Sequence, residues 1–285
     1  MDFSARCLEV LLDLEANVVG VCTRASSASN SDHKDLTPIA TAHGVPVLDA
    51  RDINSQRSVQ WIREKSPDVI FCLGWSNLLK EEILGIAPLG VVGFHPAALP
   101  QNRGRHPLIW ALALGLDATA STFFFMDHGA DSGDILSQQE IGISSDDDAA
   151  SLYGKIKLVA AEQIKEFLPL LVSGDYLVER QDHECANYWR KRGMSDGAID
   201  WRMSASAIYN LVRALTVPYI GAHFQNEGVN IKVWKCRVIE NLQNNIEPGR
   251  VIGFGDVGPI IKCGEGAVEL ISFDKRFEAC LGGFL

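Results

Sequence analysis

The chain has 285 residues, 47% hydrophobic and 22% charged, which is enough apolar material for one large domain or two smaller ones. A net charge of −10 opposes a phosphate backbone as the main partner, so neither tRNA nor DNA is expected. The seven cysteines are scattered with no CxxC or Cys/His cluster, no basic-then-apolar leader opens the chain, and no apolar run approaches the ~18 residues of a membrane span. A cytoplasmic protein with reduced thiols and no membrane contact is therefore expected.

The first half alternates helical and strand patterns. Phe3 to Leu14 has helical apolar spacing, and Val18 to Cys22 is a short β-branched run. Asp35 to His43 reads as a helix closed by Gly44, followed by a strand over Val45 to Leu48. Ser55 to Lys65 is helical, while Asp68 to Gly74 and Leu89 to Phe94 are apolar strands. Such alternation implies parallel pairing in an α/β, Rossmann-like, doubly wound and mostly parallel sheet. A sheet of this kind normally opens with a strand, whereas this pattern opens in a helix. The first strand is therefore expected to be missing from its centre.

Beyond Asp131 the pattern changes. Asp147 to Val172 is a long amphipathic helix ended by Gly174, and residues 176 to 200 are irregular and polar. Ser204 to Leu215 is helical. Strand signals then recur at Ala222 to Gln225, Asn230 to Val238, Arg250 to Phe254, Gly258 to Cys263 and Ala267 to Phe273. Their spacing suggests a small C-terminal β-barrel-like domain. The expected division is a catalytic α/β domain over 1–175, a linker over 176–204, and a helix plus barrel-like sheet over 205–285.

Two segments carry the chemistry. The first, Gly93 to Pro107, follows a strand, where open α/β sheets bind ligands. Its prolines fix the path, its glycines let backbone approach a ligand, and His95 is suited to accept a proton near neutrality. A rigid surface loop with a capping histidine fits the same residues. The second, Phe123 to Leu136, is an apolar strand and a loop with three aspartates, from which a carboxylate could orient an imidazole. Ordinary turn chemistry also explains those aspartates. The spacing of His and Asp matches no standard metal motif, so no metal is expected.

Together the segments resemble the folate-dependent formyltransferase family, which includes methionyl-tRNA, glycinamide ribonucleotide and sugar N-formyltransferases. The first signature of that family is Asn-x-His-Pro-Ser-x-Leu-Pro followed by Arg-Gly. Here it reads Gly93-Phe94-His95-Pro96-Ala97-Ala98-Leu99-Pro100, then Arg103-Gly104. The second ends in Asp-x-Gly, matched by Asp131-Ser132-Gly133. Similarity extends to Gly197-Ala198-Ile199-Asp200-Trp201 and Arg213-Ala214-Leu215-Thr216.

The resemblance implies 10-formyltetrahydrofolate as co-substrate, His95 managing the proton of an attacking amine, and Asp131 supporting it. It places the pterin between Cys72, Leu73, Gly74, Trp75 and Leu79 on one side and Met126, Asp127, Gly129 and Ala130 on the other. There are two departures. The asparagine expected two residues before the histidine is Gly93, and Asn102 on the same loop is the expected substitute. Losing an oxyanion donor can cost ~10²–10³ in rate. The second departure is at Met1-Asp2-Phe3-Ser4, which matches the end of the family's first Gly-rich turn, after its opening strand.

The acceptor is expected to be a nucleotide-linked amino sugar. Residues 221–285 hold seven basic residues, Arg276 among them, against eight acidic ones, which leaves no excess positive charge for RNA. Arg103, Gly104, Arg105, Tyr188, Trp189, Arg190 and Arg192 are the expected acceptor contacts, by base stacking and diphosphate binding. A solvated basic face fits the last four equally. Methionyl-tRNA formyltransferase and a binding-only homologue are the alternatives, and a homodimer is compatible with the family.

Overall fold

The computed structural model describes residues 2–24, 34–75, 78–240, 244–275 and 277–285; Met1 and Arg276 lie outside them. The chain forms two compact units. The first comprises Met1–Pro107, Thr119–Ile141 and Gly154–Trp189; the second comprises Leu108–Ala118, Gly142–Tyr153 and Arg190–Leu285.

In chain order the elements begin with α1 (Asp2–Asp13), β1 (Val21–Thr23), α2 (Thr37–Ala42), β2 (Val47–Asp49), α3 (Gln56–Lys65), β3 (Ile70–Cys72), α4 (Glu81–Leu84) and β4 (Val91–His95). They continue through β5 (Arg103–Gly104), α5 (Pro107–Ala113), β6 (Ala118–Phe125), β7 (Ile135–Gly142), α6 (Ala149–Ser173) and β8 (Tyr188–Trp189). The rest are α7 (Ala205–Leu215), β9 (Ala222–Asn226), β10 (Val229–Ile239), β11 (Val251–Phe254), β12 (Pro259–Lys262) and β13 (Ala267–Phe273).

In the first unit, β1 pairs with β2 in parallel. A four-stranded sheet runs β3-β4-β6-β7, with β3 parallel and β6 antiparallel to β4. No ladder joins β1 to β3 among the described residues. Apolar packing still spans the break. Cys22 of β1, Leu48 of β2 and Ile70 of β3 share one cluster with Val59, Trp61 and Ile62 of α3. That helix starts because Ser55 caps the Ser58 N–H, and it stops at Ser66, which turns left-handed.

The pleat sends alternate residues of β4 to opposite faces. On one face Phe94 stacks on Phe3 of α1 at 4.1 Å and packs at 5.0 Å on Phe123, which meets Phe167 of α6. These rings are the apolar stripes that the sequence displays, and they fix α1 and α6 against the sheet. Gly93 and His95 belong to the other face.

The strand β7 has no counterpart in the sequence reading, because Gln138, Gln139 and Glu140 break its apolar alternation. The short α5, which follows a loop of prolines and glycines, gave no periodic signal either.

The second unit carries α7 and a five-stranded antiparallel sheet in the order β11-β12-β13-β10-β9. Ser204 caps α7 at the Ala207 N–H, and the helix buries Ile208, Leu211, Val212 and Leu215. The buried Glu269 on β13 is held by Arg237 and by the Val257 and Gly258 N–H groups, which keep its carboxyl below the usual range despite burial. The sheet does not close into a barrel among the described residues: β11 and β9 are its edges and do not pair there. Among the described residues no helix is long and apolar enough to cross a membrane.

Candidate active site

His95 ends β4 at the carboxyl edge of the sheet and is only 4% exposed. Its Nε2 lies 2.7 Å from the Asn102 carbonyl oxygen, and its Nδ1 lies 3.5 Å from Asp131 Oδ2. A neutral imidazole has one N–H and can donate to only one of these acceptors. The second is served when the ring takes up a proton.

Asp131 sits on the loop between β6 and β7 in the left-handed region, with φ 55°. The turn before it is built by Asp127, whose Oδ1 accepts the Gly129 N–H at 2.9 Å and the Ser132 hydroxyl at 2.6 Å. After it, a Cβ on Gly133 would lie 1.7 Å from the Phe125 carbonyl oxygen, so only glycine fits. The loop thereby aims Asp131 Oδ2 at two donors: the His95 ring and the Gly104 N–H, which donates at 2.8 Å.

The loop that carries Gly104 is held as a short parallel strand. The Arg103 N–H donates to the Asn187 carbonyl at 3.1 Å, and the Arg105 N–H to the Trp189 carbonyl at 3.0 Å. The Asn102 N–H donates to Asn187 Oδ1 at 2.6 Å. His95, the Asn102 carbonyl and the Gly104 N–H of one segment are thus brought together with Asp131 of the other.

Arg103 lies inside the fold. Expected to contact the acceptor, it is 2% exposed. Nε and Nη2 both donate to Gln181 Oε1, at 3.1 and 2.6 Å. Nη1 donates to the Tyr188 hydroxyl at 3.0 Å, and Nη2 meets His183 Nδ1 at 3.1 Å. Gln181 and Asn187 were missed, because they lie in a polar segment without periodicity and act through contacts 48 to 85 residues away in sequence.

Of the expected donor pocket, Trp75 and Leu79 are half-buried against the α3 cluster. The Leu73 carbonyl accepts the Ser4 hydroxyl at 2.8 Å. Burial pushes the Cys72 thiol up to about 12, which makes it a poor nucleophile. Gly74 takes φ 71°. Trp75 Nε1 and Arg24 Nε are both buried without a hydrogen-bond partner among the described residues, and the Arg24 guanidinium lies 4.8 Å from the Trp75 ring centre. Met126 packs against Leu99, Phe124 and Ile135, whereas Asp127, Gly129 and Ala130 are exposed. Asp127 is a turn former in this fold.

Among the expected acceptor contacts, Arg105 and Tyr188 are exposed, and Trp189 is half-buried. Within the second unit, Arg190 and Arg192 lie over the Trp110 ring, at 5.4 and 4.5 Å from its centre. Arg190 also pairs with Asp196 and holds its carboxyl well below the usual carboxylate range. No three His, Cys, Asp or Glu side chains among the described residues gather as a metal site.

Gly93 has a structural cause. A Cβ there would meet Met126 Cγ at 2.8 Å and the Phe124 ring at 3.0 Å. The space an asparagine needs is filled by Met126. Gly93→Asn alone should therefore lower stability by about 1–3 kcal/mol through overpacking. A thermal melt unchanged from wild type would show that the neighbours yield freely.

A family model described as formyl transferase matches residues 9–168, and one described as formyl transferase, C-terminal domain, matches residues 193–276. Among solved structures, HypX from Aquifex aeolicus in complex with tetrahydrofolic acid is 20% identical with TM-score 0.65. That alignment covers 90% of this chain, which spans only 44% of HypX. An N-formyltransferase from Helicobacter canadensis, in complex with folinic acid and dTDP-3-aminofucose, is 16% identical with TM-score 0.70, covering 96% of each chain. A sugar N-formyltransferase from Shewanella is 18% identical with TM-score 0.64, covering 82% of this chain and 93% of that one. At these identities the structural likeness establishes the fold. The sequence models establish the lineage: the chain belongs to the formyl transferase family.

Proposed function

We propose that this enzyme moves a formyl group from 10-formyltetrahydrofolate to the primary amine of a nucleotide-linked amino sugar. The observation that carries the reading is the buried His95–Asp131 pair, ordered by the Gly104 N–H at the carboxyl edge of the sheet. In the reaction a C–N bond forms to the acceptor amine, the bond to the folate nitrogen breaks, and one proton must leave the amine. His95 is the group that takes and holds that proton. Asp131 stabilises the charged ring and fixes its direction. The Asn102 amide, on the loop that touches the His95 ring, is the proposed oxyanion donor in place of the asparagine absent at Gly93.

The residues present fit the folate. Trp75 and Arg24 offer two buried donors without acceptors among the described residues, near the carboxyl ends of β1 and β3, where a heterocycle or carboxylate with hydrogen-bond acceptors would satisfy them. Cys72, Leu73, Gly74 and Leu79 supply the adjoining wall. When bound, folate supplies the formyl group at the acyl oxidation level.

A small acidic acceptor is favoured over RNA, because residues 221–285 carry no net positive charge and the whole chain stands at −10. The chemistry also fits a cytoplasmic enzyme of nucleotide-sugar modification. In the Helicobacter structure the bound sugar nucleotide and folinic acid are the same two classes of molecule. Exposed Tyr188 and Arg105 are the proposed acceptor contacts.

The test is a formyl-transfer assay with 10-formyltetrahydrofolate and a panel of nucleotide-linked amino sugars. Turnover of one panel member, with none on methionyl-tRNA, is the expected result. Gly93 favours a second reading, a homologue that binds without catalysis. Retained folate and nucleotide binding with no turnover would select it.

A further inference from the structure

We infer that Gln181 is a positioning residue for Asp131, locked in turn by the buried Arg103. This rests on the proposed role of Asp131 and extends it to two side chains outside the reacting pair.

The geometry leaves the Gln181 amide one orientation. Its Oε1 accepts both Nε and Nη2 of Arg103. Its Nε2 donates to the backbone carbonyls of Asp131 at 3.0 Å and Gly133 at 2.6 Å. Both amide hydrogens and the oxygen are thus used, and rotating the amide by 180° would set guanidinium against NH2 and carbonyls against oxygen. Gln181 is 6% exposed, so water offers no substitute.

The two carbonyls it holds are that of the left-handed Asp131 itself and that of Gly133, two residues on. A non-glycine residue at φ 55° persists only when its surroundings fix it. The Gly104 N–H fixes the carboxylate end of Asp131, and Gln181 fixes the backbone end. Arg103 keeps Gln181 from turning and is anchored on the far side by the Tyr188 hydroxyl and His183. The Arg-Gly pair therefore serves the carboxylate twice: Gly104 directly, and Arg103 through Gln181.

Two substitutions separate this role from bulk stability. Gln181→Glu still offers Arg103 an acceptor but has no donor for the two carbonyls. Gln181→Met removes both functions at similar size. Each is measured for kcat, for KM of the folate donor, for melting, and for the ¹⁵N resonances of the His95 ring, which report the hydrogen bond at Nδ1. If Gln181 positions Asp131, both variants lose about 10²-fold in kcat, donor KM stays level, and the Nδ1 resonance moves. Wild-type kcat together with wild-type His95 resonances would overturn the inference. So would a kcat loss no larger than the loss of folded protein. If the wild type transfers no formyl group to any acceptor, the proposed function fails. The His95 resonances then decide the positioning role alone: moved, it stands; unmoved, it falls.

Discussion

His95→Ala should lower kcat for formyl transfer by about 10²–10⁴-fold, the contribution of a positioned proton acceptor, and leave a folded protein. The ring is buried at the end of a paired strand, with Thr122 opposite it across β4 and β6. Its removal opens a small space but breaks no ladder bond. The Asn102 carbonyl loses its partner, which costs about 1–3 kcal/mol. Asp131→Asn tests the other half of the pair. An amide can still accept the Gly104 N–H through its oxygen. It carries no charge to support the imidazolium. A loss of the same order as for His95→Ala is expected, with the double variant little worse than either single one, because residues that act as a unit are not additive. Measured kcat within about twofold of wild type in either single variant, well inside the catalytic contribution at stake, would remove that residue from the site.

Much of this arrangement was legible in the sequence. Phe94, Phe123 and Phe167 announce their strands and helix because burying an apolar stripe requires a regular period. The Gly-x-His-Pro and Asp-x-Gly segments announce themselves by a density of proline, glycine and charge that regular elements avoid. What stayed hidden has a common cause. Arg103 looks like a ligand contact because an arginine beside glycine in a loop is usually exposed. Only the chain path from 181 to 189 shows that it is covered. Gln181 and Asn187 act by hydrogen bonds to backbone, which need one side chain in one place and leave no periodic trace. Asp127, an expected donor-pocket residue, also builds the turn before Asp131, a local role that its place in a Gly-rich loop allows. The open edge of the C-terminal sheet was hidden too, since strand spacing reports how many strands there are and not whether the first pairs with the last.

Gly104→Ala should be the most damaging single methyl group in the site. Gly104 has φ 103°, a conformation that an L side chain rarely adopts, and its Cβ would lie 2.4 Å from the Trp189 carbonyl oxygen and 3.3 Å from the Trp189 carbonyl carbon and nitrogen. Those atoms are backbone, and the Trp189 carbonyl is itself tied to the Arg105 N–H. The clash can be relieved only by parting the loop at 102–105 from the segment at 187–189. That movement carries away the Gly104 N–H bonded to Asp131 Oδ2 and disturbs the Asn102 carbonyl that meets His95. Displacing catalytic groups by about 1 Å can cost about 10²-fold in rate, so a kcat loss of at least that order is expected. Backbone strain adds a stability loss of about 1–3 kcal/mol. Gly44→Ala separates the two effects. Gly44 also has positive φ, at 69°, but nothing lies within 4 Å of its Cβ position. It should lose about 1–2 kcal/mol to the left-handed conformation alone and keep wild-type kcat. Equal activity losses in the two variants would mean that general destabilisation is responsible, and that the Gly104 N–H does not hold Asp131 for catalysis.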